Sequence, residues 1–313
     1  MKKLIMVAIV GLGAQLIDGS LGMGYGVTSS SMLLLVGLSP ALASASVHLA
    51  EMGTNIASGI SHWKLGNTDW KLTGWLAVPG AIGAFLGATV LSRLATSASV
   101  PVMALILGSL GLYITSRFAF RPPNVAHARR SPHGPKVLLP LGLVGGFVDA
   151  TGGGGWGPVT TTTLLGAGKT APRTVVGSVD TSEFLVSTAA STGFLIGLGT
   201  SGINLGIVAA LLVGGLIAAP IAAWLVSRLP ARVMGVAVGG IIVLTNLRTL
   251  LTAFGVSGTV TAITAGVVLL AWLALLGITI IRHRRDPHAA GASEPAAASS
   301  DATAPQHVSD PAA

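Results

Sequence analysis

The sequence contains the stretch Asp18-Gly-Ser-Leu-Gly-Met-Gly-Tyr-Gly26 and, 131 residues later, the stretch Asp149-Ala-Thr-Gly-Gly-Gly-Gly-Trp-Gly157. Each stretch lies between two short apolar segments, so each glycine-rich run is expected to break a membrane helix. Glycine permits the positive φ angles and the close backbone approach that such a break requires. Unpaired backbone at membrane depth is tolerated only where protein or water covers it. The two stretches therefore predict two discontinuous helices and mark the place where a site would lie.

The similarity between the two stretches extends in both directions along the chain. Gly11-Leu-Gly-Ala-Gln-Leu-Ile-Asp18 matches Gly142-Leu-Val-Gly-Gly-Phe-Val-Asp149. After one inserted residue, Pro40 matches Pro172 and Glu51 matches Glu183, and Ser92-Arg-Leu94 later matches Ser227-Arg-Leu229. The chain is therefore predicted to contain two homologous halves. Because the first break has an internal counterpart, the apolar N-terminus is expected to be retained rather than cleaved as a signal peptide.

The composition excludes a soluble protein. Only 9% of the 313 residues are charged, against about 25% in an ordinary soluble domain. Hydrophobic residues make up 51% of the chain and the mean hydropathy is +0.78. These values predict an all-α polytopic membrane protein. The absence of cysteine excludes disulfides, thiol catalysis and cysteine-ligated metal centres.

Changes in composition divide the chain into five segments. The C-terminal segment is rich in Ala, Pro and Ser and is expected to be disordered, because it cannot bury a core. The predicted segments are transmembrane repeat 1 over residues 1–120, a basic cytoplasmic linker over 121–136, transmembrane repeat 2 over 137–255, an extra transmembrane helix over 256–285 and the disordered tail over 286–313.

The net charge of +8 comes from basic residues at the ends of apolar segments, which indicates membrane orientation rather than nucleic-acid binding. If each broken pair of segments is a hairpin or two short crossings, the halves are inverted. The linker, Lys169, Arg173 and Arg282–Arg285 then lie in the cytoplasm, while Lys2 and Lys3 lie outside. If each broken pair is one crossing, the halves are parallel and the C-terminus lies outside. The inverted arrangement is favoured.

Each glycine-rich run opens a helix, and Pro158 stands where a first helical residue belongs. A helix N-terminus offers free N–H groups and about half a unit of positive charge. Two such N-termini facing each other at mid-membrane, rimmed by hydroxyl groups, would bind a small anion. The alternative is that the glycines only allow tight helix packing and the hydroxyls bond locally. The predicted substrate-binding residues are Gly22, Gly24, Tyr25, Gly26, Ser29, Ser30, Gly153, Gly154, Gly155, Trp156, Thr160 and Thr161.

Carboxylates within the apolar segments form a second set of candidates, because charge is costly there and commonly functional. His48-Leu-Ala-Glu51 and Asp180-Thr-Ser-Glu183 occupy equivalent positions of the two halves, with each pair on one helical face. These groups could carry coupling protons. They could equally cap helices or orient the glycine turns. The predicted proton-coupling or gating residues are Asp18, His48, Glu51, Asp149, Asp180 and Glu183. Asn246 and Arg248 are further polar candidates, although Arg248 is more typical of a helix end.

The chain resembles the sulfite exporter TauE/SafE family over residues 1–255. The resemblance rests on the duplicated glycine-rich break, on Gly37-Leu-Ser-Pro40 and Lys169-Thr-Ala-Pro172, on His62 ahead of Gly66-Asn-Thr-Asp69-Trp70, and on Gly83, Gly87 and Ser92-Arg-Leu94. It implies a permease for small oxidised-sulfur anions such as sulfite or a sulfonate, with transport coupled to protons.

Four functions are candidates for a membrane protein with these features. An anion exporter of the bacterial inner membrane is favoured. A proton- or sodium-coupled carrier of a divalent metal cation is the alternative, because five carboxylates lie in apolar segments. An intramembrane aspartyl protease is disfavoured because Asp18 and Asp149 lack its Gly-x-Gly-Asp signature, and a scaffold is disfavoured because no extramembrane domain is present. No cofactor or resident metal is expected. The expected partners are the anion, protons and membrane lipid, with a homodimer as one assembly that the sequence allows.

Overall fold

The structure is a computed structural model that describes residues 2–21, 23–120, 130–167, 169–199, 203–226 and 231–285. The described residues form helices and no strands, as the sequence predicts. Gly22, most of the predicted linker and the predicted disordered tail lie outside the described residues.

Eleven α-helices and one π-helical turn make up the described part of the chain. The helices are α1 Lys2–Leu21, α2 Tyr25–Leu35, α3 Pro40–Lys64, α4 Trp70–Arg93, α5 Thr96–Phe120, α6 Pro135–Gly152, α7 Thr162–Ala167, α8 Pro172–Leu198, α9 Leu205–Val226, α10 Ala231–Ala253 and α11 Gly258–Arg285, with the π-helical turn Gly157–Thr161 immediately before α7.

Among the described helices, α4, α5, α10 and α11 are long and apolar enough to cross a membrane. Helix α1 continues through Asp18 to Leu21 and so includes the first four residues of the glycine-rich stretch. Its 20 residues span about 30 Å, close to the thickness of the bilayer core. Helix α2 has only 11 residues, and α7 has only 6. The short elements are thus the ones that follow the glycine-rich runs.

Caps at equivalent positions start the long helices after the α3–α4 and α8–α9 loops. The Asp69 carboxylate accepts hydrogen bonds from the N–H groups of Lys71 and Leu72 at the start of α4. Asn204 accepts from Gly206 and Ile207 at the start of α9. Side-chain caps of this kind satisfy N–H groups that have no partner inside the helix.

Glycines let α4 pack against α6 with backbones in contact. A Cβ on Gly146 would lie 2.0 Å from the carbonyl oxygen of Gly80, and one on Gly83 would lie 2.1 Å from that of Leu143. Helices α1 and α9 pack in the same way, since a Cβ on Gly214 would lie 2.0 Å from the carbonyl oxygen of Ala8. Small residues that allow backbones to approach are characteristic of helix contacts in membranes.

Two other helix pairs run antiparallel. In the α3–α8 pair, Gly177 lies beside His62 near one end, whereas Phe194 lies beside His48 near the other. In the α5–α10 pair, Gly235 faces Phe118 and Asn246 faces Gly108. Helix α11 packs on α10, where the Trp272 indole donates to the carbonyl of Val236. The middle of the molecule is therefore formed by α3, α8 and the two glycine-rich breaks.

Candidate functional site

The two glycine-rich breaks contact each other through their backbones. Gly24 precedes α2 with a φ of +117°, and Gly153 and Gly154 follow α6 with φ angles of +70° and +139°. A Cβ on Gly154 would lie 2.1 Å from the carbonyl carbon of Gly26, and one on Gly26 would lie 2.6 Å from the Cα of Gly154. Only glycine fits at either position. The N-terminus of α2 therefore packs directly onto the turn that follows α6.

A carboxylate from the preceding helix holds each break. Oδ1 of Asp149 accepts hydrogen bonds from the N–H groups of Gly155 at 2.7 Å and Trp156 at 3.0 Å. In the other half, Oδ1 of Asp18 accepts from the N–H of Tyr25 at 3.3 Å. Tyr25 and Trp156 stand at matching positions of the two similar sequence stretches, and each donates its backbone N–H to the aspartate seven residues before it. These N–H groups, expected to face an anion, are bonded to carboxylates in this structure.

His48 joins Asp149 to helix α3. Its Nδ1 lies 2.8 Å from the carbonyl oxygen of Ser44, which can only accept, so Nδ1 carries a hydrogen and donates it. Its Nε2 lies 3.1 Å from Oδ2 of Asp149, and the two side chains are 0% and 1% exposed. One proton is consequently shared between His48 and Asp149, either on the ring or on the carboxyl group.

Glu51 lies beside the contact between the breaks. Its Oε1 would be 3.0 Å from a Cβ on Gly26. Its Oε2 is buried without a hydrogen-bond partner among the described residues, and so is Nδ2 of Asn55 one turn further along α3. A buried polar group without a partner is costly, so such groups commonly mark a place for a proton or a ligand.

Glu183, which matches Glu51 in the sequence comparison of the two stretches, belongs to the same electrostatic cluster. Glu51, Asp149, Asp18 and Asp180 all lie within electrostatic range of it. The structure therefore brings together the five carboxylates that the sequence singles out, although they come from four different helices.

Most of the hydroxyl groups near the breaks bond to their own helix. Ser29 donates to the carbonyl of Tyr25, and Thr160 donates to that of Trp156. Ser30 instead donates to the carbonyl of Gly153 and so links the two breaks. Thr161, its equivalent, is buried without a partner among the described residues. Local bonding thus accounts for Ser29 and Thr160 in this conformation, Ser30 links the two breaks, and the Thr161 hydroxyl has no partner among the described residues.

The two aromatic candidates are packed into the helix bundle. Trp156 is fully buried, and its indole N–H donates to the carbonyl of Val179. Its ring lies against Gly80 of α4. Tyr25 packs in the same manner beside Gly215 of α9 and donates to the carbonyl of Leu211. Both side chains therefore stabilise the positions of the breaks.

Two contributors to the site were not selected from the sequence. Ser58 donates to Oδ2 of Asp180 at 2.5 Å, and His62 Nε2 lies 3.8 Å from the same oxygen. Ser58 is seven residues after Glu51, so a search for polar residues along that helical face would have found it. Of the two further polar candidates, Asn246 is buried and donates to Ser31, whereas Arg248 is exposed.

A model of the family described as "Sulfite exporter TauE/SafE" matches residues 7–249. The chain belongs to this family. It is 54% identical over 251 residues to the "Probable membrane transporter protein YtnM" of Bacillus subtilis (strain 168), a match that covers 80% of this chain and 84% of the relative. No solved structure matches the chain at a significant level.

Membership of the TauE/SafE family confirms the resemblance inferred from the sequence and identifies the chain as a multi-pass membrane transporter. The family match ends at residue 249, so it covers both glycine-rich breaks and all five clustered carboxylates. Helix α11 lies beyond it.

Proposed function

We propose that this TauE/SafE transporter moves a small oxidised-sulfur anion, such as sulfite or an organosulfonate, across the bacterial plasma membrane together with protons. The name of the family supports the substrate class. The chain's own residues supply the reason for coupling the anion to protons.

The observation that carries the proposal is the bonding of Asp149 at the second break. A carboxylate is itself an oxyanion, and here it accepts from two backbone N–H groups at a glycine turn. A sulfite or sulfonate group has oxygens of similar charge and could use the same donors. The substrate can take those donors only when Asp149 releases them. Because a proton would neutralise Asp149 and weaken its hold, anion binding and proton binding favour each other.

Glu51 supports the same coupling. It lies beside the contact between the breaks with an unpartnered oxygen, so a charged Glu51 would repel any anion bound there. A protonated Glu51 would remove this repulsion and could donate a hydrogen bond to the substrate. We assign Glu51 and Glu183 as coupling residues, with Asp18, Asp180 and the His48–Asp149 pair as their partners. The glycine backbones, Ser30 and Thr161 are assigned to substrate contact.

We further propose that the two halves are inverted repeats. Under inversion, equivalent helices should run antiparallel, and both α3–α8 and α5–α10 do. The resulting topology brings Lys169, Arg232 and Arg282–Arg285 to the face of the linker. Ser131 of the linker donates to Asp69 of the α3–α4 loop, and Arg232 donates to the carbonyl of Ala119. The concentration of positive charge makes this the cytoplasmic face.

Transport of a divalent metal cation is the alternative, and the clustered carboxylates are the observation that favours it. The described residues contain no group of three or more His, Asp or Glu side chains arranged to hold a metal ion, so we rank it second. An enzymatic role is not proposed, because both the family and the relative are named for transport.

Flux measurements in proteoliposomes separate the two functions. The purified protein is reconstituted and offered labelled sulfite, a small sulfonate, Ni²⁺ or Co²⁺, each with and without a pH gradient. Saturable sulfite or sulfonate movement that responds to the gradient is expected. Saturable cation uptake without movement of either anion would contradict the proposal.

A further inference from the structure

The two halves of the protein differ at the two histidines that face its carboxylates. His48 and Asp149 are fully buried, whereas His62 and Asp180 are 23% and 15% exposed. The buried pair has both ring nitrogens of its histidine engaged. In the exposed pair, His62 Nε2 is 3.8 Å from the carboxylate and Nδ1 has no partner among the described residues. His62 is therefore held less tightly than His48 and is partly exposed.

His62 lies near the face that carries the linker. It is two residues before the end of α3 at Lys64, and its carbonyl accepts from the N–H of Asn67 in the α3–α4 loop. Two residues further on, Asp69 accepts from Ser131 of the linker. A proton that reaches His62 would therefore come from the cytoplasmic face of the proposed topology.

Asp180 connects His62 to the carboxylate cluster. Its Oδ2 faces both His62 and Ser58. Asp18 from α1, Glu51 from α3 and Glu183 from α8 lie within electrostatic range of it. Along α3, Ser58 and His62 therefore stand between Glu51 and the helix end at the linker face.

The equivalent position in the other half carries an aromatic ring. With the offset of 132 that pairs Pro40 with Pro172, the counterpart of Asp180 is His48 and the counterpart of His62 is Phe194. Phe194 is fully buried, and its ring centroid lies 6.1 Å from that of His48. At the site where one half has a partly exposed titratable ring, the other half has a buried apolar one.

From this asymmetry we infer that His62 and Asp180 form the route by which coupling protons pass between the cytoplasmic face and the carboxylate cluster, and that Phe194 closes the matching route on the opposite face. The inference rests on the proposed function, in which transport is coupled to protons. Beyond the proposed function, the inference states at which membrane face the protons are exchanged, and it assigns a role to His62, Ser58 and Phe194.

Accessibility can be measured without transport, because the chain contains no cysteine. Asp180→Cys and His48→Cys each create a single reactive position. Each monodisperse variant is treated with a charged, membrane-impermeant methanethiosulfonate from one face at a time. Asp180→Cys should react from the linker face, and His48→Cys should resist reagent from the opposite face until Phe194→Ala is added. The inference would be overturned if Asp180→Cys does not react with reagent added at the linker face. It would also be overturned if His48→Cys reacts with reagent from the opposite face while Phe194 is still present.

Transport tests the same route with exchanged residues. His62→Phe should lower gradient-driven sulfite accumulation by about tenfold or more while leaving sulfite binding unchanged, because a proton-transferring group is removed. His133→Phe, which alters a histidine on the same face but outside the route, should leave accumulation unchanged. Phe194→His should let a proton pulse on the opposite face reach the cluster. If sulfite accumulation by the wild-type protein does not depend on the pH gradient, the coupling itself is refuted. If it does depend on the gradient and His62→Phe accumulates as much sulfite as the wild-type protein, only the route is refuted.

Discussion

The contact between the two breaks makes Gly154 the position least able to accept a side chain. A Cβ there would lie 2.1 Å from the carbonyl carbon of Gly26 and 2.2 Å from the backbone nitrogen of Val27. Both neighbours are backbone atoms, so neither can move aside by changing rotamer. Inserting a methyl group into packed structure costs about 1–3 kcal/mol, and holding alanine at a positive φ costs about 1–3 kcal/mol more. Gly154→Ala should therefore lose about 2–6 kcal/mol of stability.

Thermal unfolding in detergent measures this loss. With an unfolding entropy of about 2.1 cal/mol/K per residue, a penalty of this size corresponds to a fall in Tm of roughly 3–9 °C for 313 residues. The unfolding is monitored by tryptophan fluorescence and by loss of the monodisperse peak. The matched control is Gly13→Ala, since a Cβ at Gly13 of α1 meets nothing within 4 Å and alanine favours a helix. Gly13→Ala should match or slightly exceed the wild-type Tm. If Gly154→Ala unfolds at the same temperature as Gly13→Ala, the backbone contact at Gly154 is refuted.

The other predictions concern the carboxylates and the loops. Asp149→Ala should lose about 3–5 kcal/mol of stability, because it leaves the His48 ring and two N–H groups without their buried partner. Asp149→Asn should keep most of the wild-type Tm, but its transport should no longer respond to pH. Glu183→Gln and Glu51→Gln should abolish coupling to the pH gradient and leave sulfite binding measurable; unchanged pH dependence would count against their role. Asp69→Ala should lower stability by about 0.5–2 kcal/mol through the lost α4 cap, with a further loss from the broken hydrogen bond of Ser131, and should not alter coupling. An equal loss in Thr89→Ala, which changes a hydroxyl within α4 away from the cap, would contradict this cause. Burial and the nearby Lys169 lower the pKa of His133 below its ordinary value of 6.5. Below that pH the unfolded chain binds a proton that the folded protein does not, so the free energy of unfolding should fall as the pH drops. Lys169→Gln should reduce this fall, which is measured as Tm against pH.

The all-helical fold class could be predicted from the sequence because it depends on local properties. Low charge and long apolar runs exclude a soluble fold, and only glycine suits the backbone found at Gly24, Gly153 and Gly154. The end of α1 is not evident from the apolar pattern, because the Asp18 side chain bonds forward to Tyr25 while the helix continues to Leu21.

The pairing of side chains could be predicted only in part. The sequence identifies the five carboxylates and His48, but not that His48 meets Asp149 across 101 residues. The spatial partner of a buried group depends on helix packing, which repeat matching alone does not specify. Trp156 illustrates the same limit: its position beside the glycines suggests substrate contact, whereas the groove left by Gly80 places its ring against α4.

The central claim is that anion movement is driven by protons that bind at Glu51. It is tested most directly by accumulation of labelled sulfite, or of whichever sulfonate the flux assay selects, against its own concentration gradient in proteoliposomes with an imposed pH gradient. We predict that the wild-type protein accumulates the anion and that Glu51→Gln binds it but does not accumulate it. Equal accumulation by both proteins, or anion movement by the wild-type protein that ignores the pH gradient, would contradict the account.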